Sequence, residues 1–506
     1  MTSGEGGIRW GTPAARGLLA TTIVGSGMAM LDGTIVNVAL PRIGEELHAS
    51  VAGLQWILDG YMLALAALIL VAGSLGDRYG RRRTYLIGVV WFGVASGLCA
   101  AAQSTEMLVA TRILQGIGGA LLTPGSLAIL QASFAHDARA RAIGAWSGLG
   151  GIAAAAGPLL GGLLVQLWSW RLAFLINLPL AAVVVFMARK YVPESRDTQA
   201  TGHPDFGAAA LGAIGLAGIT GALVEAPGRG IGDPIVLVAA VLGVVGLGSF
   251  ILLQHRSAEP LVPPSLFRDR TFTLSNALTF VVYAALGGVM MLMVMQLQVS
   301  LGYSPTAAGI AGLPITLIML LLSGRSGALA QRIGPRTQLV VGPIVVGIGM
   351  LLMLRIAPGA SYIGAVLPAV TVFGLGLAIV VAPVTATVLA AAPDRFAGVA
   401  SGVNNAIARS GGLLAVAVLP AAAGLTGAAY TDPVALTAGW RMALVICAIL
   451  AVLGGLIALG IHNGILEPPS EPSPPDEHPH LGECLHCGVE GPPTHVRRGA
   501  APVAGS

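Results

Sequence analysis

The chain is poor in charge. Only 10% of its 506 residues are Asp, Glu, Lys or Arg, against roughly a quarter in an ordinary soluble domain. Lysine is almost absent, with Lys190 standing alone among 27 basic residues. Aromatic residues make up 5%, and there are four cysteines. The shortage of charge excludes a soluble enzyme, because too few polar side chains remain to cover a water-facing surface. A net charge of +4 gives no basic surface for nucleic acid. Four cysteines, with Cys99 and Cys447 inside apolar stretches, exclude a disulfide framework. What is abundant is apolar surface, at 55% of residues, and glycine, at 71 positions. That excess excludes a disordered chain and leaves a polytopic membrane protein. Small residues suit it, because helices in lipid associate by close packing and not by hydrophobic drive.

Fourteen apolar runs are long enough to cross a hydrocarbon layer of about 30 Å. They lie near 17–41, 54–75, 84–102, 107–130, 141–166, 171–191, 206–226, 233–254, 272–298, 306–329, 338–357, 361–388, 398–423 and 438–461. The first is too long for a signal-peptide core and is expected to stay as a span. With the N-terminus inside, nineteen basic residues fall on the inner side, five on the outer side and three within spans. This bias predicts cytoplasmic termini and an even number of crossings.

The spans repeat. An offset of 254 residues carries the starts of spans one to four onto spans nine to twelve. The loop Gly73-Ser-Leu-Gly-Asp77-Arg78-Tyr-Gly80-Arg81-Arg82 falls on Gly327-Ala-Leu-Ala-Gln331-Arg332-Ile-Gly334-Pro335-Arg336. The expected organisation is a six-helix bundle at 1–200, an extra helix pair at 201–262, a second six-helix bundle at 263–461 and a disordered cytoplasmic tail at 462–506. A parallel repeat of this kind places a binding site between the halves, near the midplane.

Several stretches carry chemistry. Gly73, Asp77, Arg78, Gly80 and Arg81 sit in the loop between spans two and three. Glycine allows a tight turn there, and Asp77 can pair with a basic group or a helix N-terminus. The ordered spacing reads as a conformational latch, and the arginines also serve as a topology signal. Arg112 lies about two turns inside span four and must face a cavity or a carboxylate, or else snorkel. Span five carries Gly144, Gly148, Gly151, Gly157, Pro158, Gly161 and Gly162, a smooth face for close packing interrupted by a residue that removes a backbone donor. Asp32 lies past the middle of span one. Burial disfavours the charged form of a carboxylate and a neighbouring arginine favours it, so an acid here can exchange protons. A static Asp32–Arg112 ion pair is the structural alternative.

Asp59, in the outer part of span two, reads either as a receptor for cationic substrates or as a solvated carboxylate at a helix end. Glu225 reads as solvated. Arg325 is expected to snorkel. Arg409, deep in span thirteen, can stabilise an anionic substrate group or pair with Asp32. Met290, Met291, Met293 and Met295 read mostly as lipid-facing filler. In the tail, Cys484 and Cys487 with His478, His480, His486 and His495 have zinc-ligand chemistry.

These motifs together resemble the major facilitator superfamily, and within it the fourteen-span drug:proton antiporters, over about residues 17–461. The resemblance rests on the Gly73–Arg83 loop, on Leu108-Val-Ala-Thr-Arg112-Ile-Leu-Gln115-Gly116-Ile-Gly118, on the Gly157-Pro158-x-x-Gly161-Gly162 ending and on Leu31-Asp32-Gly33-Thr34-Ile35-Val36-Asn37. Trp170–Pro179, Leu297–Gly309 and Ala400–Asn405 also carry it. It implies an all-α membrane fold of fourteen helices, with no cofactor and no enzyme chemistry. It implies export of hydrophobic or cationic drugs or antibiotics across the cell membrane, driven by the proton gradient. In that family Asp32 and Arg112 handle the proton, the Asp77 loop gates, and the glycine–proline ending marks exporters. Asn37 and Asp59 stand as substrate contacts. A dedicated exporter of one endogenous metabolite and a non-transporting sensor are the other readings of the fold.

Overall fold

The computed structural model describes residues 7–196, 205–257, 260–393, 396–425, 427–430 and 432–466. Cys484 and Cys487 lie outside them. The described residues are almost entirely helical. The helices are α1 (Pro13–Leu47), α2 (Val51–Tyr79), α3 (Arg81–Ala100), α4 (Thr105–Ser133), α5 (His136–Leu167), α6 (Arg171–Leu175), α7 (Asn177–Tyr191), α8 (Phe206–Arg229), α9 (Pro234–Arg256), α10 (Arg270–Met295), α11 (Pro305–Ala311), α12 (Leu313–Ile333), α13 (Arg336–Met353), α14 (Leu367–Ala390), α15 (Ala397–Ala422) and α16 (Pro433–Ala458).

Local chemistry starts many of them. Thr12, Ser50, Ser104, Asp205, Asp233, Asp269, Ser304 and Asp432 each accept a backbone N–H of the following first turn. Proline follows the cap directly in α1, α9, α11 and α16, where its missing N–H costs nothing.

Thirteen helical stretches among the described residues are long and apolar enough to cross a membrane, so this is a multi-pass membrane protein. The expected fifth span is the 32-residue α5, whose described apolar part is Ala156–Leu167. Two expected spans are interrupted: the sixth divides into α6 and α7 at Ile176, and the tenth into α11 and α12 at Gly312.

The packing repeats along the chain. In the first set α1 touches α4, α5 and α7, α2 touches α4, and α3 touches α4 and α7. In the second set α10 touches α14, α15 and α16, α12 touches α14, and α13 touches α14 and α16. The two sets meet along two seams, α2 against α15 and α5 against α11 and α12. Helices α8 and α9 pack on each other, and α8 also lies along α2 and α15. Gly215 and Gly218 face Gly243 and Gly246 across the α8–α9 contact, so closely that a Cβ on Gly246 would stand 2.7 Å from the Gly215 nitrogen. This is the small-residue packing that lipid favours.

The offset of 254 has a backbone counterpart. Gly80 and Gly334 hold φ of 109° and 80° at the turns before α3 and α13, a region that favours glycine. The N-terminus of α3 is then capped from behind α7, with the Arg82 N–H donating to Glu194 at 3.1 Å. The N-terminus of α13 is capped from behind α16, with the Arg336 N–H donating to Asn463 at 3.1 Å.

Two expectations fail here. Met291, Met293 and Met295 are buried in the core and not turned to lipid. Glu225 is not a lone solvated carboxylate: it accepts the Trp56 indole N–H at 3.0 Å and pairs with Arg229 at 2.8 Å, tying α8 to α2.

Candidate functional site

Two helices bring the central pair together. Asp32 on α1 is fully buried, Arg112 on α4 is 1% exposed, and Nη1 meets Oδ2 at 2.6 Å. A charge pair is tolerated in such surroundings only when its remaining donors and acceptors are also met. Here they are. Gln115, one turn along α4 from Arg112, donates to Asp32 Oδ1 at 2.7 Å and accepts from Arg112 at 2.6 Å. Asn177, opening α7, donates to the same Oδ1 at 3.1 Å. Ser96 on α3 accepts from Gln115 at 2.8 Å, and the Arg112 Nε–H donates to the Ile57 carbonyl at 3.1 Å. The Arg112 guanidinium also stacks 4.3 Å from the centre of the Tyr61 ring. Five helices of the first set thus meet in one cluster around this carboxylate.

A cavity of about 1660 Å³ lies beside this cluster. Tyr61 separates the two, buried against Arg112 on one side and lining the cavity on the other. Gly33 and Thr34 of α1, Tyr61 and Met62 of α2, and Ser401, Asn405 and Arg409 of α15 form its deep wall. Asp77, Arg78, Arg81, Asp205, His255 and Arg268 line it toward the α2–α3 loop. The space therefore runs from between the two helix sets to the arginine-rich face.

The opposite ends of the seams are in contact. Gln55 donates to the Val416 carbonyl at 2.8 Å, joining α2 to α15, and Gln298 donates to the Val38 carbonyl at 3.0 Å. On the other seam Gly309 of α11 presses on the Pro158 carbonyl, and a Cβ on Gly162 would stand 2.6 Å from Thr306 Cα. Gly157 and Gly161 face the other way, onto Thr34 and Ile35 of α1. The glycine–proline ending thus lets α5 sit tightly between α1 and α11. Of Gly148 only its place in α5 is described.

The loop residues fall at the cavity mouth. Asp77 pairs with Arg81 at 2.7 Å, one turn along. Gly73 has open space where a side chain would be, and a Cβ on Gly80 would meet the Glu194 carboxylate at 2.7 Å.

The three expected substrate contacts sit in different surroundings. Asp59 is fully buried, not solvated, and neither carboxylate oxygen has a hydrogen-bond partner. It does not line the cavity. Asn37 donates to the Gly33 carbonyl of its own helix at 2.9 Å. Arg409 does not reach Asp32, which is held by Arg112. Arg325 is exposed and donates to the Leu321 carbonyl of its own helix at 3.0 Å. The sequence alone does not single out Ser96, Gln115 and Asn177 as site residues. Their signal is an amide or hydroxyl group deep inside an otherwise apolar run.

A family model described as Major Facilitator Superfamily matches residues 22–416. The chain belongs to the major facilitator superfamily. It is a transporter-type membrane protein and not an enzyme. Among curated relatives, the multidrug resistance protein Stp of Mycobacterium tuberculosis (strain CDC 1551 / Oshkosh) is 36% identical over 402 residues, covering 79% of this chain and 74% of that protein. The tetracenomycin C resistance and export protein of Streptomyces glaucescens is 35% identical over 417 residues, covering 82% and 76%. The methylenomycin A resistance protein of Bacillus subtilis (strain 168) is 34% identical over 455 residues, covering 88% and 95%. The fold matches that of solved peptide transporters. One of the POT family, solved in complex with sulfate, has a TM-score of 0.66 at 17% identity, over 90% of this chain and 95% of that one.

Proposed function

We propose that this protein is a drug:proton antiporter that exports hydrophobic, drug-like compounds, antibiotics among them, across the cell membrane. Its relatives are resistance and export proteins of this superfamily. The observation that carries the coupling is the buried Asp32–Arg112 pair lying one aromatic ring away from the cavity. A proton taken up by Asp32 neutralises the carboxylate and frees Arg112 from its charge partner. Loss of that proton restores the pair. Each cycle converts a proton step into a repacking of α1 against α4, the helices that bound the cavity.

The arginine-rich face is the cytoplasmic one, with both termini there. The structure then corresponds to an inward-open state, loading from the cytoplasm. The chain crosses the membrane fourteen times. The repeated contacts support two six-helix bundles with α8 and α9 as the inserted pair. The Asp77–Arg81 pair at the cavity mouth belongs to the gate that closes when the cavity turns outward. Protons and a small-molecule substrate are the partners, and the gradient takes the place of a cofactor. The expectation of cationic cargo has weaker support, because the deep wall carries Arg409 and Asp59 lies outside it. The zinc reading of the tail rests on Cys484 and Cys487, which lie outside the described residues.

Export of one endogenous compound is the second reading, favoured by relatives whose names are tied to a single antibiotic. Inverted membrane vesicles given a panel of compounds, with and without a pH gradient, test both readings. Gradient-dependent uptake of several unrelated drugs supports the first, and uptake of one compound supports the second. Uptake that ignores the gradient overturns the coupling.

A further inference from the structure

The deep wall of the cavity holds one charged group, Arg409 on α15. Its Nε is fully buried without an acceptor, and no described carboxylate lies within ion-pair distance of its guanidinium. The acids that line the same space, Asp77 and Asp205, sit toward the loop face and are engaged there, one by Arg81 and the other by the N-terminus of α8. From Thr271 to Ile461 the chain carries only Asp394 and Asp432 as acids. Asp394 falls outside the described residues, and Asp432 caps α16. A cation inside a membrane protein is costly to keep, and this one has been given no permanent counter-charge.

Its neighbours are donors. Ser401, Asn405 and Arg409 recur every fourth residue on α15 and line the cavity together, which puts hydroxyl, carboxamide and guanidinium on one stripe of the helix. Tyr61 of α2 lines the same cavity with its phenol ring. Asn405 uses one amide hydrogen on the Ser401 carbonyl at 3.1 Å and keeps the other. Around these groups the wall is apolar or small: Ala29, Met30, Gly33 and Met62.

We propose that Arg409, with Asn405 and Tyr61, is an anion subsite that holds the carboxylate, sulfonate or phenolate of an otherwise apolar, aromatic substrate. The reading rests on the transport role of the cavity and adds the chemical class of its cargo. A guanidinium binds such groups by charge-assisted, often bidentate hydrogen bonds. Tyr61 also touches Arg112, so an anion at Arg409 sits one ring away from the proton site.

The test uses a matched pair of probes, 2-naphthoate and 2-naphthamide, which differ in charge and little in shape. Binding to the purified full-length protein is read by quenching of Trp146, which lines the cavity, with a Trp146→Phe control to isolate its signal. The native protein is expected to prefer naphthoate by about tenfold or more. Arg409→Gln should abolish that preference while leaving naphthamide affinity within about twofold, and Arg409→Lys should keep part of the preference. Naphthoate bound equally well by Arg409→Gln overturns the subsite and leaves the cavity reading standing. Loss of both probes in Arg409→Gln, with both bound normally by Arg409→Lys, assigns Arg409 a structural role and also overturns it. Failure of the native protein to bind either probe overturns the subsite together with the cavity reading. The rival use of Arg409, as partner of the orphaned Asp59 in another state, predicts that Asp59→Asn and Arg409→Gln singly stop transport and that the double variant restores it. Such restoration would likewise overturn the subsite.

Discussion

The two helix sets share a packing plan but differ in how they use charge. In the first, a buried carboxylate gathers an arginine, a glutamine and an asparagine from two other helices. In the second, the polar contacts within the core are neutral. Gln296 joins the Ile356 carbonyl and Thr437, Gln338 joins Ser326, and Asn404 joins Asn276 and Thr279. The loops follow suit. The Asp77–Arg81 pair has Gln331 and Pro335 at the repeated positions, and the Glu194 cap has Asn463. A neutral hydrogen bond can hold a bundle in one shape. A charge pair can also respond to a proton. The division suggests that one set does the coupling and the other supplies a scaffold with a single cation facing the cargo.

The largest expected effect tests that division directly. Arg112→Ala leaves Asp32 buried and unpaired, which costs about 3–5 kcal/mol and should end gradient-driven export. The double variant Asp32→Asn/Arg112→Gln should regain most of the thermal stability in detergent and none of the export. If export survives in Arg112→Ala, the first set does not carry the coupling.

Next comes the seam between the sets. Gly162→Ala places a methyl 2.6 Å from the Thr306 backbone, where neither side can yield cheaply. Transport should fall by at least about tenfold, a barrier change near 1.4 kcal/mol. Gly248→Ala in α9, with open space around it, should transport normally and controls for helix propensity. Equal rates in the two variants would mean that α5 and α11 need no close approach.

The loop is expected to matter less than the pair. Asp77→Asn removes a half-exposed ion pair, worth at most about 1 kcal/mol in stability. Vesicle transport should drop severalfold while folding is unchanged. Gln331→Glu at the repeated position should change neither. A matched loss at both loops would show that the gate is symmetric and the charge incidental.

The smallest effect is at the caps. Glu194→Ala and Asn463→Ala each remove side-chain capping at a helix start, and each should cost about 0.5–1.5 kcal/mol, read as a shift in thermal unfolding with export nearly intact. A loss of export from Glu194→Ala alone would move the gate to the α3 N-terminus.

Much of this layout is legible in the residues. The 254 offset anticipates that Gly80 and Gly334 turn the chain alike, because a glycine flanked by arginines at a helix junction has few other uses. The pairing of Asp32 with Arg112 is legible for a simpler reason: opposite charges in lipid must find each other. The second layer around them is not. Gln115 and Asn177 look like any polar residue in a span until the helices are placed. The methionines look lipid-facing because lipid and protein core are equally apolar, so hydrophobicity does not say which side of a membrane helix faces inward. Glu225 looks solvated for a related cause, since an acid near a helix end has no visible partner until the neighbouring helix is placed.

One consequence of that neighbour concerns how cargo arrives. α8 runs along both α2 and α15, held there in part by the Trp56–Glu225 hydrogen bond, and α9 covers α8 from outside with most of its own side chains exposed or half-buried. This seam is roofed by two helices on its lipid side. The seam of α5 with α11 and α12 has no such roof among the described contacts. A compound already dissolved in the inner leaflet therefore meets a doubled wall on one flank and a single one on the other. Lateral entry, where it occurs, is directional.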